Sequence, residues 1–181
     1  ASVCIPPCYI KRVHDTYGEK INICTVVGFP LGYSVTEAKA AETKKALEDG
    51  ASEVDMVVNI SDVKNGNYDA AQAEIAALKK ITGDKILKVI IETCYLTEEE
   101  KIAMCKAVTA AGADYIKTST GFGTAGATLE DIRLFRENIG PDVKMKAAGG
   151  VKTVADMEAG CDRIGTSSAI QLIQGEQTSG Y

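Results

Sequence analysis

The stretch Gly112-Ala-Asp-Tyr-Ile-Lys-Thr-Ser-Thr-Gly121 decides how this chain is read. A glycine able to end a helix is followed by small and polar residues, a short apolar strand, a lysine, and a turn of hydroxyl residues closing on glycine. The frame recurs in Gly50-Ala-Ser-Glu-Val-Asp55, 62 residues earlier, and in Gly160-Cys-Asp-Arg-Ile-Gly165, 48 residues later. Each separation accommodates two strand–helix units, so the frames mark alternate strands of a parallel sheet. In a closed barrel, alternate strands contribute to one interior layer. The sixth position of the frame is Asp55, Lys117 and Gly165, an odd set for a layer that only fills space.

Working outward, short apolar runs alternate with helical patterns along the whole chain, the signature of βα units. Strands are expected at Val3–Ile5, Ile21–Phe29, Glu53–Asn59, Ile86–Thr93, Tyr115–Thr118, Val143–Ala147 and Arg163–Thr166. Ser34-Val-Thr-Glu37 and Thr97-Glu-Glu-Glu100 have capping-box spacing, and Thr128-Leu-Glu-Asp131 resembles one. Ala71, Ile75, Leu78 and Ile81 share one helical face, as do Ile132, Phe135 and Ile139, and these stripes are read as core.

Composition narrows the function. The 181 residues suit one domain, read as a single barrel over 1–181. A net charge of -5 without a basic cluster argues against nucleic acid, and no apolar run reaches the roughly 20 residues that span a bilayer. Six cysteines lie without a C-x-x-C pair, and His14 is the single histidine, in a polar stretch that suggests a solvated role. That pattern favours a reduced, cytoplasmic protein and offers little to a metal or to a histidine-dependent nucleophile.

The charged residues inside apolar strands remain: Asp55, Lys88, Glu92, Lys117 and Lys146. Strands of a parallel sheet are buried on both faces, so ionised groups there are costly unless paired. One reading is a structural ion-pair network across the barrel interior. The other is a Schiff-base site. An amine attacks a carbonyl only after shedding its proton, and burial beside a second cation favours the uncharged form. Lys117 and Lys146, at the ends of adjacent strands, supply amine and neighbour, and Asp55 in the same layer can move protons with water. The turns at Gly149-Gly150 and Ser167-Ser168 stand where barrels hold phosphate, after the last two strands, and Thr118-Ser-Thr-Gly121 is a further turn of hydroxyl residues and glycine. Cys4, before Pro6-Pro7, is read as core, and Tyr181 as a flexible tail.

These blocks resemble the deoxyribose-phosphate aldolase family of class I aldolases. The likeness runs through Ser2-Val-Cys-Ile-Pro6, Phe29-Pro30, Gly50 to Asp55, Lys88-Val-Ile-Ile-Glu-Thr93, Ala113 to Gly121, Lys146-Ala-Ala-Gly-Gly150 and Arg163-Ile-Gly-Thr-Ser-Ser168. It implies a TIM (β/α)8-type barrel in which Lys117 forms the Schiff base and Asp55 and Lys146 handle protons. Gly121, Gly149, Gly150, Ser167 and Ser168 would surround the phosphate, with Tyr181 a further candidate. The implied reaction cleaves 2-deoxyribose 5-phosphate to glyceraldehyde 3-phosphate and acetaldehyde, without cofactor or metal. The implied partner is a small sugar phosphate, with a homo-oligomer as an option. Two departures are expected. The first β/α unit is lacking, so seven strands are counted and the barrel reads as N-terminally incomplete, hence less stable and prone to associate. The helix before the last strand is also short, the link from Gly150 being only about ten residues where a crossover usually needs about a dozen. Rival readings are another class I sugar-phosphate aldolase or transaldolase-like barrel, and an inactive remnant that only binds phosphate.

Overall fold

The computed structural model describes residues 1–149, 161–167, 169, 171 and 174–175. Seven parallel strands form one sheet in chain order: β1 (Val3–Cys4), β2 (Ile23–Val27), β3 (Glu53–Val57), β4 (Ile86–Ile90), β5 (Tyr115–Lys117), β6 (Lys144–Ala148) and β7 (Arg163–Gly165). Between them run α1 (Ile10–Tyr17), α2 (Thr36–Glu48), α3 (Ile60–Lys64), α4 (Tyr68–Thr82), α5 (Glu98–Ala110) and α6 (Leu129–Asn138). All seven expected strands are present. Most are trimmed at their ends, because the apolar runs continue into loops where the ladder has stopped.

Consecutive strand order with helical crossovers makes a sheet curl. The contacts measure that curl. Strands β3 and β7 are four places apart, about 19 Å across a flat sheet, yet Arg163 of β7 donates to both carboxylate oxygens of Glu53 of β3 at 2.7 Å. The sheet is therefore rolled into part of a barrel with one concave face. The shortened helix expected before β7 lies outside the described residues.

Alternation along each strand separates the two faces. Val54, Met56, Leu87, Val89, Ile116, Met145 and Ala147 turn outward and pack with Ala71, Ile75 and Leu78 of α4, Met104 and Val108 of α5, and Ile132 and Phe135 of α6 in one core. Ile81 and Ile139 complete their stripes only half-buried. Ile23 joins a second cluster with Ile10, Ala46 and Ala51 under α1 and α2. The concave face carries the residues between them in sequence, and those are largely charged.

Local signals explain the helix starts, with one correction. Thr97 opens α5 with a complete capping box. Thr128 accepts from the Asp131 N–H at the head of α6, but the Asp131 carboxylate serves Thr93 and Lys101 instead of reaching back. Ser34 does not cap α2. The N-cap there is Val35, which makes no side-chain cap bond, and Thr36 turns to Glu74 of α4. The helix is held by the buried Lys39–Glu74 ion pair at 2.8 Å, whose ammonium also donates to the Val57 carbonyl at 2.9 Å. Tertiary contacts have replaced the local cap. His14 is likewise not a solvated side chain. It is half-buried against Gly50, where a Cβ would come within 2.3 Å of the imidazole.

Candidate active site

Strand β3 places Glu53 and Asp55 two residues apart, hence on the same concave face. Asp55 is fully buried and is the hub. Its Oδ2 accepts from the Lys117 ammonium at 2.7 Å and from the Lys146 ammonium at 2.9 Å. Its Oδ1 accepts from Lys88 at 2.7 Å and from the Cys24 thiol at 3.1 Å. Lys88 also pairs with Glu53 at 2.6 Å, and Glu53 takes Arg163 as its second cation. The three residues singled out from the sequence for catalysis thus meet at one carboxylate oxygen. Lys117 and Lys146 face each other in register on β5 and β6. They are only 6% and 7% exposed.

Burial pushes the Asp55 carboxyl up, but Lys117, Lys146 and Lys88 outweigh it and hold the group well below the ordinary carboxylate range. Burial likewise raises Glu53, and its bonds to Arg163, Lys88 and Ser2 bring it down to about 2. For Lys88 burial works against the charge, while Asp55, Cys24 and Glu53 raise its affinity for the proton above that of a free lysine. Lys88 is thus locked as a cation between two carboxylates, a structural ion, whereas Lys117 and Lys146 share a single acceptor oxygen. Two carboxylates face four cations in this cluster, so the concave face carries an excess of positive charge.

Gly165 explains its place in the frame. A Cβ there would lie 3.3 Å from Lys146 Cε and 3.1 Å from Ala148 Cβ, so the glycine makes room for the Lys146 stem. Thr118 fastens the ends of β5 and β6 together: its hydroxyl donates to the Ala148 carbonyl at 3.2 Å and accepts from the Ala148 N–H at 3.1 Å. Beyond it, Gly121 and Gly149 both have positive φ, at 91° and 70°. A Cβ on Gly149 would come within 3.1 Å of Gly126 Cα and 3.8 Å of Gly121 Cα, so three glycine backbones converge there. Ser119, in the same turn, has the one buried side-chain oxygen that finds no partner among the described residues. Ser167 is exposed in the turn after β7. Gly150, Ser168 and Tyr181 lie outside the described residues.

Two assignments change. Glu92 does not join the Asp55 network. It takes a left-handed conformation (φ 56°) at the end of β4, and its carboxylate accepts from the Thr120 N–H and hydroxyl. It thereby fixes the turn that follows Lys117. Cys4 is exposed rather than buried in the core. Glu53, Arg163 and Cys24 are members of the cluster that the sequence reading passed over. Period-two spacing from Asp55 and Gly165 would have found the first two.

The family model described as "DeoC/LacD family aldolase" matches residues 1–168. A protein of Clostridium botulinum (strain Alaska E43 / Type E3) named deoxyribose-phosphate aldolase is 73% identical over the whole chain, which covers 84% of that relative. One of the same name from Clostridioides difficile (strain 630) is 60% identical, also over the whole chain and 84% of its own length. Among solved structures, "QR15, an Aldolase" superposes with a TM-score of 0.89 at 40% identity, covering 96% of this chain and 80% of that one. The deoxyribose phosphate aldolase of Aeropyrum pernix, described as a unique tetramer, superposes at 0.87 with 29% identity over 96% and 76% of the two chains. With this family model spanning nearly its whole length, the chain belongs to the DeoC/LacD family of aldolases.

Proposed function

We propose that residues 1–181, as one barrel domain, reversibly cleave 2-deoxyribose 5-phosphate to glyceraldehyde 3-phosphate and acetaldehyde through a Schiff base on Lys117. The observation that carries the assignment is the shared Asp55 Oδ2, at 2.7 Å from Lys117 and 2.9 Å from Lys146. One carboxylate oxygen bridging two amines lets a proton pass between them and a substrate oxygen without crossing bulk water. The neutral Lys117 amine adds to the C1 aldehyde, water leaves with a proton supplied through Asp55 and Lys146, and an iminium remains. Scission of the C2–C3 bond delivers its electron pair into that iminium, giving an enamine, while the C3 hydroxyl surrenders its proton and glyceraldehyde 3-phosphate departs. Protonation of the enamine and addition of water then release acetaldehyde and regenerate the amine.

The phosphate is assigned to the glycine-lined end of the concave face, at Gly121 and Gly149 together with Gly150, Ser167 and Ser168. Backbones stripped of Cβ atoms and the unpartnered Ser119 hydroxyl support an anion cradle there. The cationic excess of the cluster favours the same charge. No helix in the described residues is long and apolar enough to cross a membrane, and a net charge of -5 argues against nucleic acid as a partner. A cytoplasmic setting and a homo-oligomer complete the proposal, the latter supported by the tetramer of the Aeropyrum pernix protein.

Incubation with acetaldehyde followed by borohydride reduction should leave a two-carbon adduct on Lys117, mapped by mass spectrometry. Labelling spread over exposed lysines, or none, would reject the assignment and favour an inert phosphate-binding barrel. Turnover of fructose phosphates in preference to deoxyribose 5-phosphate would favour a related sugar-phosphate aldolase.

A further inference from the structure

The chemistry above leaves two thiols beside it unused. Cys4 ends β1 and Cys24 lies directly opposite it on β2, so both side chains leave the same face of the sheet next to each other. Neighbouring strands run about 4.8 Å apart, inside the range of about 4.4–6.8 Å between Cα atoms that a disulfide bridges. The two sulfurs and a carboxylate oxygen of Asp55 all lie within 4.8 Å of one another. Cys4 is exposed and Cys24 fully buried, an order that suits attack from solvent followed by internal closure. We propose that Cys4 and Cys24 are a redox-active dithiol at the rim of the amine site, which small-molecule disulfides convert to an intramolecular disulfide that lowers turnover until it is reduced.

The two thiols divide the work. The adjoining Cys24 thiol brings Cys4 down to about 7; desolvation of its sulfur and the Asp55 charge oppose it, and the Lys117 and Lys146 ammonium groups add to it. Much of Cys4 is thus thiolate at neutral pH, the form that attacks a disulfide. The adjoining Cys4 and burial push Cys24 well above the ordinary thiol value, so it waits as the protonated partner. The Cys4 thiolate attacks one sulfur of an external disulfide, forming a mixed disulfide and expelling one thiolate. Cys4 is then uncharged, which removes the chief cause holding the Cys24 proton. Cys24 gives up that proton, attacks the Cys4 sulfur and expels the second thiolate. The external disulfide takes two electrons from the protein pair and leaves as one thiol and one thiolate, the proton coming from Cys24.

A divalent cation on the same three ligand atoms is the weaker use of them, because Asp55 already faces three ammonium groups. Closure reaches the chemistry through Cys24, whose S–H donates to Asp55 Oδ1 at 3.1 Å and whose sulfur lies 3.4 Å from Lys88 Nζ. Oxidation removes a donor to the ionised hub, enough for about a tenfold fall in kcat.

The test equilibrates the protein in glutathione buffers from reducing to oxidising, blocks free thiols in acid, and compares peptide maps with turnover. A Cys4–Cys24 linked peptide should rise in step with a loss of about tenfold in deoxyribose 5-phosphate cleavage, and dithiothreitol should reverse both. Cys24→Ala should stop at a glutathione adduct on Cys4. Absence of the linked peptide in the most oxidising buffer, or a linked peptide with undiminished turnover, overturns the proposal. The turnover readout rests on the aldolase assignment. Should the reduced protein fail to cleave the sugar phosphate, that assignment fails, while the peptide map still decides the dithiol.

Discussion

Strands β3 to β6 present two faces built on opposite principles. Outward, Val54, Met56, Leu87, Val89, Ile116 and Met145 pack against helices with no polar atom to satisfy. Inward, one residue away in each strand, Glu53, Asp55, Lys88, Lys117 and Lys146 bring charge into an interior nearly as well shielded from water. The outer face stabilises by area removed from water, at about 25 cal/mol per Å², and tolerates any side chain of matching volume. The inner face costs desolvation and survives because each carboxylate has several donors. The outer layer specifies the barrel. The inner layer concentrates cations around one oxygen, which chemistry needs and stability does not.

The comparison breaks most sharply with one substitution on each face. Asp55→Asn preserves shape but leaves Lys88, Lys117 and Lys146 around a neutral amide. Removing one member of a buried ion pair costs about 3–5 kcal/mol, and loss of the proton relay should lower kcat by about 10²–10⁴-fold. Phe135→Ala in α6, fully buried in the outer core, should cost a similar 3–5 kcal/mol, roughly, by opening a cavity. Its kcat, measured where the protein remains folded, should stay within about twofold, since additivity holds for sites that share no partner. Urea melts paired with steady-state rates separate the two. Asp55→Asn protein that melts early but turns over normally would make the inner layer a structural network alone.

How much of this was legible follows from the same division. The strands announce themselves because burial on both sides leaves apolar runs, and the charges that interrupt them at Asp55, Lys117 and Lys146 stand out against that background. Lys88 was visible but its role was not, since only the pairing of β3 with β4, which sets Asp55 opposite Lys88, shows it held by both Glu53 and Asp55. Arg163 and Glu53 are 110 residues apart, and no local pattern joins them. Glu92 misled because a charge at a strand end looks alike whether it turns into the barrel or, as here, back to its own following loop. Gly121 and Gly149 could be read from turn chemistry, while their approach through Gly126 could not.

A smaller effect sharpens the inner-face account through acid. Glu53 titrates at about 2 in the folded protein against an ordinary 4.5. The folded state therefore binds the proton less readily than the unfolded chain. The stabilisation from ionised Glu53 is fully present above about pH 4.5 and fades as pH falls toward 2. Glu53→Gln should lower stability at neutral pH and remove that part of the acid slope, so the two stability curves converge between pH 4.5 and 2. Parallel curves across that interval would mean that Glu53 contributes no differential protonation.

The smallest effect separates a local signal that folding uses from one that it does not. Thr97 and Ser34 are both exposed hydroxyl residues three positions before a glutamate. In the first, the hydroxyl accepts from the Glu100 N–H at 3.3 Å and the Glu100 carboxylate accepts from the Thr97 N–H at 2.7 Å. Glu100 is also anchored by Lys64 at 2.8 Å, which holds the box in place. In the second, α2 begins at Thr36 and is fixed from its buried side by Lys39 and Glu74, so the serine hydroxyl contributes no cap. Thr97→Ala should cost about 1 kcal/mol, whereas Ser34→Ala should stay within about 0.5 kcal/mol of the parent, as surface changes do. Thermal melts of the two variants side by side measure the difference. Equal losses would place a cap at α2 after all, and equal neutrality would mean that α5, like α2, owes its start to packing.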